Sequence, residues 1–412
     1  MKQDIDRIMQ EKQIDAILVT GPAQHNPAMY YFTGGIHLTH GELLKVVGCE
    51  PKLYYSSSME REEAARSGLD VQSTEVFNPR QLLEDAKGNV VLARAARYQK
   101  MLVEAGLSRG KLVVYGRQEA GSAYATLKAL SKLLPELEIV SEESCPVLTL
   151  AQLTKSEDEI ARIRQMAEIT TEVVGLTADF LSSHRAKDHL LVKEDGTPLQ
   201  IGEVKRQINI WLMERGAENP EGTVFALGRE AGIPHSLGSD EMPLELGKTI
   251  VFDIFPCEMF GGYFYDFTRT WCLGYAPDDV WSVYQDVYDV YQLVTHELKA
   301  GTACSIYQKL TCDLFEQRGH ETVQVNPQTE EGYVHSLGHG VGLNIHEKPW
   351  FGRNADEYDQ LLPGVVFTIE PGLYYPSKGL GVRLENTYYV SPKGKIELFA
   401  PYSMELVLPV RK

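Results

Sequence analysis

Two aspartates set in apolar surroundings constrain this chain more than any other feature. The segment 248–271, KTIVFDIFPCEMFGGYFYDFTRTW, reads as two β runs joined around residues 258–262, with Asp253 on the first run and Asp266 on the second. Twelve residues separate them, an even count. A symmetric antiparallel hairpin centred on Met259 and Phe260 would therefore set the two carboxylates opposite each other on one face. Two carboxylates so placed need a cation. An isolated aspartate in a strand more often caps a turn or sits at a solvated edge, but here a second pair needs the same explanation. Glu370 ends the strand-like run VVFTIE, and Glu385 lies inside GVRLENTYYV, again among hydrophobic neighbours. A buried unpaired carboxylate is costly enough that it takes up a proton or finds a positive partner.

The segment YVHSLGHGVGLNIHEKPW adds His335, His339 and His346 within twelve residues, and His235 stands upstream in GIPHSLG. One histidine alone is more often structural than a ligand, whereas a cluster points to chemistry. Gly338, Gly340 and Gly342 around His339 let backbone approach without side-chain obstruction. Two Asp, two Glu and at least one His form an oxygen-rich donor set whose four negative charges two divalent cations would neutralise. Such pairs, about 3.5–4 Å apart, commonly support hydrolysis. The residues therefore read as a dinuclear metallohydrolase, with Mn, Co or Fe type ions favoured over a thiolate-bound structural zinc.

Other motifs compete poorly. The glycines at 338, 340 and 342 lack the spacing of a dinucleotide fingerprint, and there is neither a nucleophile elbow nor an H-E-x-x-H zinc helix. Cys257 reads as a bystander on the hairpin.

Composition narrows the setting. Forty Lys and Arg against 57 Asp and Glu leave a charge of −17, which repels phosphate backbones and makes nucleic acid an unsuitable partner. The N-terminus has scattered charges in place of the apolar run of a signal peptide, and no stretch approaches the roughly 20 apolar residues of a membrane helix. Six cysteines without a C-x-x-C pair suit free thiols in a reducing compartment, so a cytoplasmic protein that does not engage membranes is expected.

Residues 1–150 alternate short β runs, 15–20 and 111–115, with helical spacing at 58–66 and 97–105, which predicts a small α/β domain. A capping box, Ser156-x-x-Glu159, opens a long amphipathic helix and marks the start of a second domain, 151–412. Further helices are predicted over 204–214, 278–298 and 305–317, with β-rich segments at 248–273, 364–375 and 381–390.

The ordered set Asp253, Asp266, His339, Glu370 and Glu385 lies within D-x-T-R-T, G-H-G-x-G, H-E-x-P, E-P-G-L-Y and G-V-R-L-E-N, with G-I-P-H upstream. With these motifs the chain resembles the pita-bread metallopeptidases, and among them the Xaa-Pro peptidases, prolidase and aminopeptidase P. The N-terminal stretch NPAMYYFTGG extends the resemblance to their creatinase-like domain. The resemblance implies an α+β class, with a C-terminal pita-bread fold behind a smaller α/β creatinase-like domain. It also implies Asp253 on one metal, Asp266 and Glu385 bridging two, and His339 with Glu370 completing the second. Glu370 would exchange protons with a bridging hydroxide, His235 and His346 would donate to the substrate carbonyl, and His335 and Arg383 would position substrate. Small peptides with proline in second place would be the substrates, manganese the first-choice ion ahead of cobalt, zinc or iron, and a homodimer the assembly. The hairpin between the aspartates is two residues longer than the family's usual one, which preserves parity but reshapes the cleft near its tip. The resemblance leaves dipeptidase and aminopeptidase action open. It also leaves a creatinase-like C–N hydrolase and a non-catalytic binding protein as alternatives on the same fold.

Overall fold

Near-continuous apolar runs make central strands, and the run at 16–20 is one of them. In the computed structural model, which describes residues 4–142, 145–352 and 355–411, Ala16–Gly21 is buried along its whole length. It pairs antiparallel with Gly41–Val46 and parallel with Gly110–Gly116. The six-stranded sheet runs Asp70–Ser73, Lys52–Tyr55, Gly41–Val46, Ala16–Gly21, Gly110–Gly116, Leu137–Ile139. Alternation sends Ile17 and Val19 into the core on one face and Ala16 and Leu18 into the core on the other. The helix Val90–Glu104 covers the second face with Ala95, Tyr98, Met101 and Leu102. It starts seven residues earlier than the spacing alone predicts, because the Asn89 side chain caps it by accepting from the amides of Val91 and Leu92. The predicted helix at 58–66 is a 3₁₀ turn, Ser58–Glu60, followed by a short helix, Arg61–Ala65.

The chain divides into two compact units, Met1–Gln152 with Phe260–Gly262, and Leu153–Met259 with Tyr263–Lys412. The second opens on the helix Glu157–Ser183. Its capping box is formed: the Ser156 amide donates to Glu159 Oε2 at 2.8 Å, and the Glu159 amide returns to Ser156 Oγ. Ile201–Glu214, Asp278–Glu297 and Cys304–Gln317 follow, close to the predicted spans. One sheet orders Thr223–Leu227, Thr249–Ile254, Phe267–Leu273 and Val407–Leu408. Another orders Glu347–Trp350, His339–Gly340, Val366–Ile369, Asn386–Val390 and Ile396–Leu398, and Gly372–Tyr375 pairs with Leu380–Arg383. Helices Asp278–Glu297 and Cys304–Gln317 press Val287, Val290, Tyr291 and Phe315 onto Phe367, Ile369, Leu373 and Val382, which gives these strands a solid backing.

The hairpin carrying the two aspartates departs from its expected register. Asp253 faces Thr268 and Ile254 faces Phe267, and the same register continues through Cys257 opposite Phe264. The tip therefore lies at Phe260–Gly261, one residue beyond the expected centre on Met259 and Phe260. Both tip residues have positive φ, +72° and +84°, the geometry of a type I′ turn, and a glycine in the second place meets that demand. The slip is two residues in the pairing, so Asp266 sits diagonal to Asp253 and keeps the same face.

Among the described residues no helix is long and apolar enough to cross a membrane, and all six cysteines are free thiols.

Candidate metal centre

Neighbouring strands of the second unit bring the acidic residues together. Asp253 lies within Thr249–Ile254, and Asp266 immediately precedes Phe267–Leu273. Glu370 follows Val366–Ile369, and Glu385 stands between Leu380–Arg383 and Asn386–Val390. The Glu385 amide donates to the Thr268 carbonyl at 3.1 Å, and the Thr387 hydroxyl donates to the Asp266 carbonyl at 2.7 Å, so the two backbones are stitched together at the carboxylates. His339 reaches the same point on a tightly packed segment. A Cβ at Gly338 would stand 2.1 Å from the Thr368 carbonyl oxygen and one at Gly340 2.0 Å from that of Lys348, so only glycine allows this approach.

Ligand atoms of Asp266, His339 and Glu385 all lie within 4.8 Å of one another. His339 Nε2 is 3.5 Å from Asp266 Oδ2 and 3.4 Å from Glu370 Oε1. Its Nδ1 lies 3.0 Å from the Gly340 carbonyl, which fixes the proton on Nδ1 and turns the Nε2 lone pair toward the carboxylates. Asp253 Oδ1, Asp266 Oδ1 and Glu385 Oε1 are buried with no hydrogen-bond partner. Orphaned anionic oxygens beside an imidazole lone pair fit a divalent cation, and among the described residues no hydrogen-bond donor answers them.

The electrostatics agree. Burial, reinforced by the charge of Glu385, holds the carboxyls of Asp266 and Glu370 well above the usual carboxylate range. Burial and the Asp253 charge push Glu385 up to about 8. Burial, together with neighbouring His346, drives His339 down to about 3, so it stays a neutral donor. Arg383 brings a cation to one of the four carboxylates: its Nη2 donates to Asp253 Oδ2 at 2.5 Å.

The remaining sequence-selected residues surround this cluster. His346 stacks edge-on against His339 with ring centres 4.4 Å apart. His235 and His346 line a cavity of about 430 Å³ with all four carboxylates and His335, His339 and Arg383. His335 is fully engaged within the protein: Nδ1 donates to the Ser336 carbonyl at 2.7 Å, and Nε2 accepts from the Tyr374 hydroxyl at 2.8 Å. Tyr374 can donate there because its oxygen accepts from Arg383 Nη1, also at 2.8 Å. His335 and Arg383 thus form one chain with Tyr374 and Asp253, which orders the wall of the cavity.

Several contributors escape local sequence reasoning. The Thr268 hydroxyl donates to Glu385 Oε2 at 2.6 Å, and Arg269 Nη1 holds the Glu385 carbonyl at 2.8 Å. Both belong to the D-x-T-R-T run, whose alternation was the available signal. Lys155, just before the capping box, is buried and paired with Glu347. Glu347 also accepts from the Asn344 amide at 3.3 Å, behind the segment that carries His346. Only the buried lysine itself could have hinted at that partner.

Two family models match the chain: "Metallopeptidase family M24" over residues 161–392 and "Creatinase/Prolidase N-terminal domain" over residues 2–145. The Xaa-Pro dipeptidase of Pyrococcus horikoshii is 26% identical over 399 residues, covering 96% of this chain and 95% of that protein. Among solved structures, the prolidase from Pyrococcus furiosus superposes with a TM-score of 0.71 at 21% identity, covering 97% of this chain and 99% of that one. The X-Pro aminopeptidase from Thermotoga maritima gives 0.72 at 20% identity, covering 98% and 100%.

Proposed function

The chain belongs to metallopeptidase family M24, its catalytic region preceded by a creatinase/prolidase N-terminal domain, and on that premise we propose that it hydrolyses the amide bond before proline, in Xaa-Pro dipeptides or at the N-terminus of Xaa-Pro peptides. The observation that carries the reading is that Asp266 and Glu385, each with an orphaned carboxylate oxygen, gather with His339 within ligand distance, and that Asp253, with a third orphaned oxygen, lines the same cavity. Asp253, Asp266, His339, Glu370 and Glu385 would hold two divalent ions, with manganese, cobalt or iron suited to so oxygen-rich a set and zinc also able to enter it. Ions bound there supply Lewis-acid polarisation of the scissile carbonyl and lower the pKa of water toward neutrality.

The chain's own residues do the rest. Glu370, whose Oε1 lies 3.4 Å from His339 Nε2 at the cluster, is placed to take a proton from the attacking water and return it to the departing prolyl nitrogen as the C–N bond breaks. His346 and His235 line the same cavity as the carboxylates and would donate to the oxygen on which charge develops. Arg383 and His335, engaged through Tyr374, hold the wall in place during the reaction and position substrate. Proline gives a tertiary amide with no N–H and a restricted backbone, so it needs a dedicated pocket. A cavity of about 430 Å³ is within the range that encloses small ligands.

The test is hydrolysis of matched Xaa-Pro and Xaa-Pro-Yaa peptides by chelator-treated protein, with and without added Mn²⁺ or Co²⁺, against Xaa-Ala controls. Metal-restored cleavage of the proline substrates alone is expected, and the dipeptide-to-tripeptide rate ratio separates the two modes of action. Metal binding without cleavage of any proline peptide would overturn the reading.

A further inference from the structure

Among the described residues the cavity is lined by five carboxylates, and the proposed cation-binding cluster accounts for four. The fifth, Glu221, sits in the turn between Ala217–Glu218 and Thr223–Leu227, where the Gly222 amide donates to the Asn219 carbonyl at 3.2 Å. Three residues on, Val224 pairs with Asp253 across the sheet, so this turn is held at the rim of the same cavity. Glu221 is exposed, and among the described residues it has no hydrogen-bond or ion-pair partner. Its charge acts on His346, on the facing segment, which places it within electrostatic reach of the reacting groups. The wall beside it is apolar: Val224, Leu237, Phe255, Ile345 and Trp350.

We propose that Glu221 selects substrates whose residue before proline carries a cationic side chain on an aliphatic stem, lysine or arginine; this rests on the proline-peptidase reading above. An apolar wall ending in a free carboxylate is complementary to such a side chain, whose methylenes cover apolar surface while its charged end stays at the solvated rim. Solvent access at Glu221 screens the pair, so the selectivity is moderate and weakens with salt.

Lys-Pro and norleucyl-Pro share the stem and differ in the terminal ammonium. The wild-type protein loaded with Mn²⁺ is expected to favour Lys-Pro by roughly 5-fold in kcat/KM at low ionic strength, the scale of an exposed charge pair. Glu221→Gln should bring that ratio to near one, and Glu221→Lys should invert preference toward Glu-Pro. A loss equal on both substrates, with the ratio kept, would mean that Glu221 holds the α-ammonium common to both or only shapes the turn, and would overturn the proposal. An unchanged ratio would overturn it too. Cleavage of neither dipeptide by the wild type would remove the proline-peptidase reading and this inference with it.

Discussion

Glu42 in the first unit and Glu385 in the second are buried to the same depth, at 0% and 1% exposure, and the fold treats them in opposite ways. Around Glu42 the chain supplies its own positive charge. Arg97 Nη2 donates to Oε1, and His40 Nε2 lies 3.2 Å from the same oxygen, although Oε2 is left without a partner. Nearby Lys45, equally buried, is answered by Asp6 at 2.6 Å and by the Cys49 carbonyl. Glu385 instead receives a single neutral hydroxyl from Thr268 and stands among Asp253, Asp266 and Glu370, where Arg383 is committed to Asp253 and Arg269 to backbone carbonyls and Asn386. Burial of a charge is therefore no mark of function by itself. What distinguishes the centre is that, among the described residues, the fold gathers four carboxylates and ion-pairs only Asp253 with an internal cation, Arg383.

The largest effect should come from removing an anion from that centre. Asp266→Ala and Glu385→Ala are each expected to abolish metal retention and turnover together, a loss of at least about 10³-fold in kcat, since in the proposed mechanism the ions generate the nucleophile. Metal content by elemental analysis, measured beside Xaa-Pro hydrolysis, checks both. Full turnover in either variant would place the chemistry elsewhere and would make the two buried glutamates equivalent.

A smaller effect follows from pH in chelator. Glu385 holds its proton up to about 8 in the folded chain, against about 4.3 for an unfolded glutamate. The folded state then binds more protons across that interval, so stability falls as pH rises from about 4.3 to 8 and levels off above. His335 and His339, both driven down to about 3, act in the opposite sense. They must be neutral to fold, and the stability they contribute is present above about 6.5 and lost as pH falls below it. Between pH 6.5 and 8 the carboxyl slope should stand alone. The urea midpoint of the metal-free protein is expected to drop across that window, Glu385→Gln to make the drop shallower while Asp266 and Glu370 still contribute, and added Mn²⁺ to abolish it. A midpoint that rises from pH 6.5 to 8 in chelator would show that the carboxylates are already neutralised within the protein.

How much of this was legible in the sequence follows from the same contrast. Membership of the metallopeptidase family, the pita-bread architecture behind a creatinase-like domain, and the long helix after Ser156 are borne out, because each writes a local or ordered pattern. Carboxylates stranded in apolar runs were visible at Asp253, Asp266, Glu370 and Glu385 because burial and charge conflict within a few residues. The hairpin register was missed by two residues in its pairing, since parity fixes which face a side chain takes but not where the chain turns; Phe260 at positive φ is an unlikely sequence cue for a tip. Tyr374, Thr268 and Lys155 were missed for another reason. Their partners, His335, Glu385 and Glu347, are apposed only by tertiary folding, and no local pattern says which side chains will meet.

The last way to break the comparison is to remove the counter-charge where the fold does supply one. Arg97 is mostly buried, at 14% side-chain exposure, and its loss leaves Glu42 enclosed with only His40 for support. Arg97→Met keeps much of the stem volume and is expected to lower stability by about 3 kcal/mol, the cost of leaving a buried charge unpaired. Replacing both partners, Arg97→Met with Glu42→Gln, should recover part of that loss, because the uncompensated anion is gone. Metal stoichiometry and kcat on an Xaa-Pro dipeptide should match the wild type in both variants, since neither residue belongs to the centre. Chemical denaturation and elemental analysis on the same preparations separate the two quantities. Equal stability loss in the single and double variants would mean that packing, not charge, holds Arg97 in place. Loss of metal from folded Arg97→Met would tie Glu42 and Glu385 to one function, and burial without an internal partner would no longer be what sets the centre apart.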